Sequence, residues 1–357
     1  MKIEPNKKIQ IINRATPKRE DRKFFFTMDR NERVDDFSTV IIKKALSQIS
    51  SYDLRTYPDS SEIYNKLSKF LKVGKNNIIM TDGAEGSLLR FFNVFTKRGD
   101  TVVYLNPSFG MYKLYCKMFK LREKPFQVKL DKNFLFFEKL IKHIKKTKPK
   151  VLAIPNPNQP VETMLNFKQL NYLCKLTQEM NTYLVLDEAY YYFHNISSQK
   201  LYKKYNNLII IRSFSKAFGL AGLRIGYSIS NKKVIDCMKT IKPIYEINAI
   251  NIKILNFFIK NIHIMKKNVE EINKSRIYIK NNLKKINLEV FGSYSNNILI
   301  KIGSNNRAIN LKKKLYKKKY IVKEIKLGKD NVFLRCAMGS LRVSKRFCKL
   351  IKKFIKD

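Results

Sequence analysis

The hydrophobic pattern of this chain alternates between short continuous apolar runs and longer stretches in which apolar positions recur every three or four residues. The continuous runs predict buried strands, which lie at 77–80, 101–104, 151–154, 183–186 and 208–211. The periodic stretches between them predict helices at 60–73, from 88 onward and at 167–180. Continuous apolar strands that alternate with helices indicate an α/β fold whose mostly parallel sheet is covered on both faces.

The pattern changes after this region. Residues 234–283 are rich in predicted helix, with a break at Pro243. Beyond them the chain alternates between predicted strands and helices. The strands are near 297–302, 320–323 and 331–334, and the helices are at 308–319 and 343–354.

Residues 1 to about 45 are predicted to form an arm. It contains a strand-like run at 23–28, a charged turn at 29–33 and a helix that Ser38 can cap. We therefore predict three parts: an arm at 1–45 that belongs to the small domain, a large domain at 46–245, and a small α+β domain at 246–357.

A polar turn follows each predicted strand of the large domain. These turns lie at 81–87, 106–112, 155–160, 187–190 and 213–227. Ligands of open α/β sheets bind beyond the carboxyl ends of the strands. A turn of small residues that opens a helix, as at 81–87, also exposes backbone N–H groups to an anion. We therefore expect the turns to form one site.

The segment at 213–227 places Lys216 among small and apolar residues, away from the lysine clusters of the chain. An amine that is partly desolvated and close to another cation, here Arg224, has a lowered pKa and can form a Schiff base with a carbonyl. The Ser213 and Ser215 hydroxyls and the Arg224 guanidinium can hold a phosphate beside it. An aldehyde and a phosphate on one small molecule describe pyridoxal phosphate. The alternative is that Lys216 is a solvated surface charge.

The chain has 357 residues and a formal net charge of +45. A charge of this size raises the alternative of a nucleic-acid partner. The lysines are, however, spread over nearly the whole length beside many isoleucines and asparagines, a composition that A/T-rich codons produce. We therefore attribute the charge to genome composition, and we interpret the clusters at 312–314 and 317–319 as solvated faces.

Cysteine and histidine usage favours a reducing compartment and argues against metal chemistry. The five cysteines form no CxxC pair, and the three histidines have no ligand companions at metal-binding spacing. The sequence shows neither an apolar run that could span a bilayer nor the apolar core of a signal peptide. We expect a soluble, cytoplasmic protein that binds neither nucleic acid nor membrane and holds no metal.

Two further residues have two interpretations on local sequence. Tyr57, in the turn at 55–59, is either an exposed tyrosine or a buried aromatic edge. Arg335, at the end of a predicted strand, either reaches the cleft between the two domains or lies on the surface.

Taken together, these motifs resemble the pyridoxal-phosphate-dependent class I and II aminotransferases of the aspartate aminotransferase fold, and within them the histidinol-phosphate aminotransferase branch. The resemblance covers nearly the whole chain, and its most specific part is the segment at 215–224. It implies a fold-type I transferase with pyridoxal phosphate as cofactor. It further implies a homodimer that moves an amino group, in amino-acid biosynthesis, from a donor such as glutamate to an oxo substrate bearing a carboxylate or phosphate.

The resemblance also implies roles for individual residues. Lys216 forms the Schiff base, Asp187 pairs with the pyridine nitrogen, and Tyr190 donates to the phenolic oxygen of the cofactor. Phe109 stacks on the cofactor ring. The phosphate is bound by the backbone of Ala84 and Glu85 together with Ser213, Ser215 and Arg224. Tyr57 contacts the cofactor of the neighbouring subunit. Arg335 binds the acidic group of the substrate.

Two segments depart from the pattern of these enzymes. Where they usually read Asn-Pro-Thr-Gly, this chain has Gln159, Pro160, Val161 and Glu162, so Gln159 replaces the asparagine that contacts the phenolic oxygen. Glutamine keeps the amide donor but reaches about one methylene further. The segment at 28–33 also differs from the arm typical of true histidinol-phosphate enzymes.

Two alternatives to transamination remain. Decarboxylases of the threonine-phosphate decarboxylase type look similar at the same motifs, and they share the cofactor. A basic nucleic-acid-binding protein on an inactive enzyme scaffold is the other alternative.

Overall fold

The structure is a computed structural model that describes residues 22–129, 136–327 and 331–356. The predicted arm lies outside the described residues as far as residue 21. The strands are β1 (Phe26–Thr27), β2 (Ile78–Asp82), β3 (Thr101–Asn106), β4 (Arg122–Glu123), β5 (Phe126–Gln127), β6 (Val151–Pro155), β7 (Tyr183–Asp187), β8 (Leu208–Ser213), β9 (Ile225–Ile229), β10 (Val290–Phe291), β11 (Asn297–Gly303), β12 (Tyr320–Ile321), β13 (Lys323–Lys326) and β14 (Val332–Ala337). The α-helices are α1 (Thr39–Leu46), α2 (Ser51–Arg55), α3 (Ser61–Leu71), α4 (Gly83–Phe95), α5 (Met111–Met118), α6 (Phe136–Thr147), α7 (Phe167–Glu179), α8 (Lys232–Lys239), α9 (Ala249–Lys260), α10 (His263–Lys284), α11 (Asn305–Lys317) and α12 (Leu341–Lys356).

The large sheet has eight strands in the order β2-β9-β8-β7-β6-β3-β4, with β5 also paired to β3. All neighbouring strands pair in parallel except β9, which is antiparallel to both β8 and β2. The prediction of a mostly parallel α/β sheet is confirmed. As a result, the carboxyl ends of β2, β3, β6, β7 and β8 lie at one edge of the sheet.

Both faces of this sheet are buried. On β2, Ile78 and Met80 pack into one hydrophobic cluster while Ile79 packs into the other, and on β3 Val103 and Val102 divide in the same way. Successive residues of a strand point to opposite faces. The continuous apolar runs of the sequence are therefore explained by burial on both sides.

Two local predictions were wrong, and strand β9 was missed. Helix α4 begins at Gly83 and not at Leu88, because Gly83 leaves the strand with a left-handed φ of 67° and the next residues are already helical. The strand-like run at 23–28 is a 3₁₀ turn followed by the two-residue strand β1, which pairs with β12 alone among the described strands. Strand β9 was not predicted, because Gly226 and Ser228 interrupt its apolar positions.

A second sheet has the order β10-β11-β14-β13 and is antiparallel throughout. Helices α10 and α12 pack against each other, and α11 packs on β11, β12 and β14. The predicted helices of the α+β part and its strands near 297–302 and 331–334 are confirmed, whereas the run at 320–323 divides into β12 and β13, which pair with different strands. Strand β1 pairs in parallel with β12, where Phe26 lies opposite Tyr320. The domain limits at residues 45 and 245 stay predictions.

Helix starts follow the capping rules of the sequence. Ser38 accepts a hydrogen bond from the Ile41 N–H at the start of α1, as predicted. Asn166 and Gln169 form a reciprocal capping box at the start of α7. Of the described helices, none is both long enough and apolar enough to cross a membrane.

Candidate functional site

Lys216 lies directly after the carboxyl end of β8, in a turn fixed by aromatic packing. Phe214 and Phe218 are buried, with ring centroids 4.9 Å apart and nearly perpendicular planes. The Ser215 N–H donates to the Ser213 hydroxyl oxygen over 3.0 Å, and the Gly219 N–H donates to the Lys216 carbonyl. The turn therefore holds the start of the Lys216 side chain in one place.

The Lys216 amine is not a solvated surface charge. Burial, which is the largest cause, and the positive charges of Arg335 and Arg224 together lower its pKa to about 8, against the opposite effect of Glu32 and Asp187. Its Nζ donates to the main-chain carbonyl oxygens of Asn31 over 3.2 Å and Arg30 over 3.5 Å. An amine with this pKa is largely neutral above pH 8, and a neutral amine is a nucleophile.

Asp187 ends β7 and is buried beside Lys216. Its carboxylate accepts hydrogen bonds from the Ala189 N–H and the Tyr112 hydroxyl, each over 3.0 Å. Burial raises the pKa of Asp187, while these two donors and the charge of Lys216 act in the opposite direction. A buried carboxylate held by two donors suits a cationic nitrogen as its partner.

Tyr190 lies three residues after Asp187 and faces the same amine. Lys216 Nζ is 6.0 Å from the centre of the Tyr190 ring. The Tyr190 hydroxyl oxygen accepts a hydrogen bond from Asn31 Nδ2 over 2.7 Å. Burial raises the pKa of Tyr190 to about 12, so the hydroxyl keeps its proton at neutral pH.

The start of α4 and the end of the Lys216 segment form a narrow cradle. A Cβ added to Gly226 would lie 2.4 Å from the Gly83 carbonyl carbon and 2.6 Å from the Ala84 nitrogen, so β9 approaches the helix start as only glycine permits. A Cβ added to Gly83 would lie 2.7 Å from Arg224 Nη2. Arg224 Nη1 is 3.4 Å from the Ser215 hydroxyl oxygen. The first N–H groups of a helix lack intrahelical acceptors, so this cradle suits an anion.

The structure also places the two residues that had two interpretations. Tyr57 is exposed, with 79% of its surface accessible, and its ring stacks on Tyr245 with centroids 4.4 Å apart. Arg335 is half-buried, donates through Nη2 to the Asp29 carbonyl oxygen, and lies close enough to Lys216 to lower the pKa of its amine. Arg335 therefore faces the site and is not a surface arginine.

Two other predicted site residues lie at the edge of this group. Phe109, which follows β3, has 44% of its surface accessible, and its ring lies perpendicular to that of Tyr112. Gln159 uses its amide elsewhere: Nε2 donates to Glu162 Oε1 over 3.1 Å and to the Ser295 hydroxyl oxygen over 3.0 Å. In this structure the Gln159 amide is therefore directed at the loop between β10 and β11.

A buried ion pair lies behind the ends of β7 and β8. Arg212 and Glu188 are each almost fully buried and are joined by hydrogen bonds of 2.9 and 3.0 Å. Ser197 also donates to Glu188, and the Tyr191 ring lies 3.7 Å from the guanidinium carbon of Arg212. This pair ties together the two strands that carry Asp187 and Lys216.

Sequence reasoning missed three residues that contact the site: Asn31, Tyr112 and Asn296. Asn31 contacts both Lys216 and Tyr190, and Asn296 Nδ2 donates to the Asn31 carbonyl oxygen over 3.0 Å. Asn31 and Tyr190 are 159 positions apart, and no local motif marks the pair. The polarity of the turn at 29–33 was the only available signal.

The residues present fit a phosphorylated pyridine aldehyde. Lys216 supplies the amine, Asp187 a buried carboxylate for a protonated ring nitrogen, and Tyr190 a hydroxyl for an oxygen beside the aldehyde. The cradle at Gly83, Ala84, Ser215 and Arg224 suits the phosphate. Among the described residues, no group of histidine, cysteine, aspartate and glutamate side chains could hold a metal ion.

Comparisons with known proteins agree with this fit. The family model described as aminotransferase class I and II matches residues 27–351. A histidinol-phosphate aminotransferase of Thermoanaerobacter pseudethanolicus is 30% identical over 279 residues, which are 77% of this chain and 78% of that protein.

Two solved structures share the fold. A histidinol-phosphate aminotransferase from Sinorhizobium meliloti in complex with pyridoxal-5'-phosphate superposes with a TM-score of 0.84 at 19% identity, over 93% of this chain and 91% of that one. The L-threonine-O-3-phosphate decarboxylase from Porphyromonas gingivalis superposes with a TM-score of 0.77 at 20% identity, over 93% of this chain and 99% of that one. The predicted fold-type I architecture is confirmed, and it is common to both reactions.

Proposed function

The chain belongs to the class I and II aminotransferases, and from this premise we propose that it transfers an amino group between glutamate and an oxo substrate of the histidinol-phosphate type. Pyridoxal phosphate is the cofactor of this family, and its protonated ring supplies an electron sink at the substrate carbon. The rest of the proposal concerns the groups that the chain itself provides.

The observation that carries the proposal is the half-buried Lys216 side chain, whose amine donates to the Asn31 carbonyl oxygen and has a pKa lowered to about 8. At neutral pH such an amine exchanges a proton easily, so Nζ can take a proton from one carbon and return it to another atom. The carbonyl oxygens of Asn31 and Arg30 orient Nζ by accepting its protons. We assign Lys216 as the nucleophile and as the general base and acid.

Asp187 and Tyr190 are proposed to act on different atoms of the cofactor ring. The Asp187 carboxylate, fixed by Tyr112 and Ala189, keeps the ring nitrogen protonated. The Tyr190 hydroxyl donates its proton to the phenolic oxygen. The backbone of Ala84 and Glu85, with Ser213, Ser215 and Arg224, binds the phosphate, and Phe109 stacks on the ring.

Arg335 is proposed to bind the acidic group of the substrate. Its Nε is buried and has no hydrogen-bond partner among the described residues, while its Nη2 reaches only a main-chain carbonyl. The guanidinium fork can bind a carboxylate or a phosphate with two parallel hydrogen bonds. The anionic end of the substrate would then lie within electrostatic reach of Lys216.

We also propose a homodimer in which Tyr57 reaches the cofactor of the neighbouring subunit. Large apolar side chains are exposed on and around helices α1 and α2 and before α9, which pack together. They are Val40, Leu54, Tyr57, Ile244 and Tyr245. A second copy of the chain would cover them. The five free thiols agree with a reducing compartment, which supports a cytoplasmic location.

The test uses the purified protein supplied with pyridoxal phosphate, and the Lys216→Ala variant as control. With histidinol phosphate as donor and 2-oxoglutarate as acceptor, the wild type should form glutamate, and the variant should lose at least about a thousandfold in rate. Histidinol without the phosphate should react poorly. Release of carbon dioxide from phosphorylated amino acids, without glutamate formation, would instead establish a decarboxylase.

A further inference from the structure

Asn31 touches both reactive side chains of the proposed site. Its Nδ2 donates to the Tyr190 hydroxyl oxygen over 2.7 Å, and its carbonyl oxygen accepts from Lys216 Nζ over 3.2 Å. The residue is 95% buried and has a left-handed φ of 56°, a conformation that asparagine tolerates better than most residues. Asn296 Nδ2 donates to the same carbonyl oxygen and fixes it from the other side.

The direction of the bond between Asn31 and Tyr190 determines where the phenol proton points. An amide N–H can only donate, so the Tyr190 oxygen accepts this hydrogen bond with one of its own lone pairs. The hydroxyl proton of Tyr190 is then free to be donated to another partner. The donation from Asn31 also lowers the pKa of Tyr190, against the effect of burial. Tyr190 is therefore a better donor toward the site than it would be without Asn31.

Gln159, which occupies the position of the expected amide donor, is turned away. Its Nε2 is shared between Glu162 and Ser295, and Glu162 itself accepts from the backbone N–H groups of Ser293 and Tyr294. Glu162 stands where the related enzymes usually have glycine, which has no side chain to hold the amide.

We propose that Asn31 is a positioning residue for the transamination reaction: it directs the Tyr190 proton toward the phenolic oxygen of the cofactor and replaces the function of the Gln159 amide. This inference rests on the proposed function, because it needs the cofactor to lie beside Tyr190. The carbonyl of Asn31 orients Lys216 at the same time, so one residue aligns the proton donor and the amine.

The test is a pH titration of the visible absorbance of the cofactor-loaded protein. Hydrogen-bond donors around the phenolic oxygen stabilise its anionic form, so the loss of one raises the pH midpoint of the absorbance change. Asn31→Gly removes the amide but keeps the left-handed backbone and the carbonyl, because glycine adopts this φ freely. Asn31→Asp keeps the shape but cannot donate, so it reverses the hydrogen bond with Tyr190.

We expect Asn31→Gly to raise the pH midpoint of the absorbance change by about 0.5 pH unit, which is a fraction of the shift that one ordinary hydrogen bond produces. Asn31→Asp should raise the midpoint further. Gln159→Ala should leave the midpoint unchanged. In a Tyr190→Phe background, Asn31→Gly should add no further shift, because its effect acts through the hydroxyl. Thermal unfolding followed by circular dichroism checks that each variant is folded.

The outcomes separate the two proposals. A wild type that takes up no pyridoxal phosphate would overturn the proposed function and this inference with it. A normal wild-type spectrum, with a midpoint that moves in Gln159→Ala but not in Asn31→Gly or Asn31→Asp, would overturn the role of Asn31 alone. An equal shift from Asn31→Gly with and without the Tyr190 hydroxyl would also overturn it.

Discussion

Glu162 accepts a hydrogen bond from the Tyr294 backbone N–H over 2.9 Å, which connects the loop after β6 to the loop between β10 and β11. The Ser293 N–H and the Ser295 hydroxyl donate to the same carboxylate. One side chain therefore binds the large sheet to the small antiparallel sheet. A carboxylate that accepts backbone N–H groups makes hydrogen bonds stronger than those between neutral groups.

Removal of this carboxylate should loosen the loop at 292–296. We expect Glu162→Ala to increase amide hydrogen exchange at Ser293 and Tyr294 by about tenfold or more, because each loses a charged acceptor worth about 1.5–3 kcal/mol. Exchange in β8 should be unchanged. Glu138→Ala on helix α6 is the matched control, and equal exchange at the two amides in wild type and Glu162→Ala would contradict the prediction.

The lowered pKa of Lys216 predicts a pH profile for cofactor uptake. The amine is protonated below its pKa of about 8 and neutral above it, and only the neutral form attacks an aldehyde. The rate constant for uptake of pyridoxal phosphate by the apo protein should therefore rise about tenfold per pH unit below pH 8 and become constant above it. For a free lysine side chain, whose pKa is about 10.4, the rate constant of the reaction with pyridoxal phosphate should continue to rise above pH 8. A protein profile that follows the free amine would show that Lys216 is solvated.

Arg335 should influence the pH profile of cofactor uptake, because its positive charge is the second largest cause of the lowered pKa of Lys216. Arg335→Met removes the charge and keeps much of the apolar stem, so the uptake profile should move to higher pH. Arg307→Met, on the exposed start of α11, should leave the profile in place. An unchanged profile in Arg335→Met would mean that the guanidinium does not act on the amine.

The ion pair between Arg212 and Glu188 should be sensitive to loss of one partner. Arg212→Met leaves the Glu188 carboxylate buried without its cation, which costs about 3–5 kcal/mol of unfolding free energy. The double variant Arg212→Met with Glu188→Gln should recover part of that loss, because no buried charge remains. Urea denaturation measures the unfolding free energy of the single and the double variant. Arg98→Ala, on the surface, is the control and should change the unfolding free energy by less than about 0.5 kcal/mol. A double variant as unstable as Arg212→Met would refute this account.

The exposed apolar surface around Tyr57 predicts a variant that separates the subunits. Ile244 has 81% of its surface accessible in the single chain, so Ile244→Glu should place a charge in the proposed interface and shift the protein toward monomers in sedimentation experiments. Ile277→Glu changes another exposed isoleucine, with 61% accessible, on helix α10 and should leave assembly unchanged. Identical sedimentation of the two variants would remove the support for this interface.

Sequence reasoning found the residues whose signal is local. The strand ends of the large sheet, Asp187 and the Lys216 segment were predicted because apolar runs and polar turns mark them within a few positions. The lowered pKa of Lys216 was also expected, although burial proved a larger cause than Arg224. These features depend on neighbours in the chain, so the sequence displays them.

The features that sequence reasoning missed depend on contacts between distant segments. Asn31 meets Tyr190 only because β1 joins β12 and brings the turn at 29–33 to the site. The direction of the Gln159 amide depends on Ser295, which is 136 positions away. Helix α4 was placed too late because the conformational freedom of Gly83, and not a hydrophobic residue, starts it.

The pairing of β1 with β12 also has a consequence for biosynthesis. Residues 26–28 leave the ribosome before their partners at 319–321 and Ala337, which are made about three hundred residues later. Domains generally fold as units during synthesis, so the large sheet can form while this segment still lacks its partner. We therefore expect the contact of Asn31 with Lys216 to form late, after residue 337 has emerged.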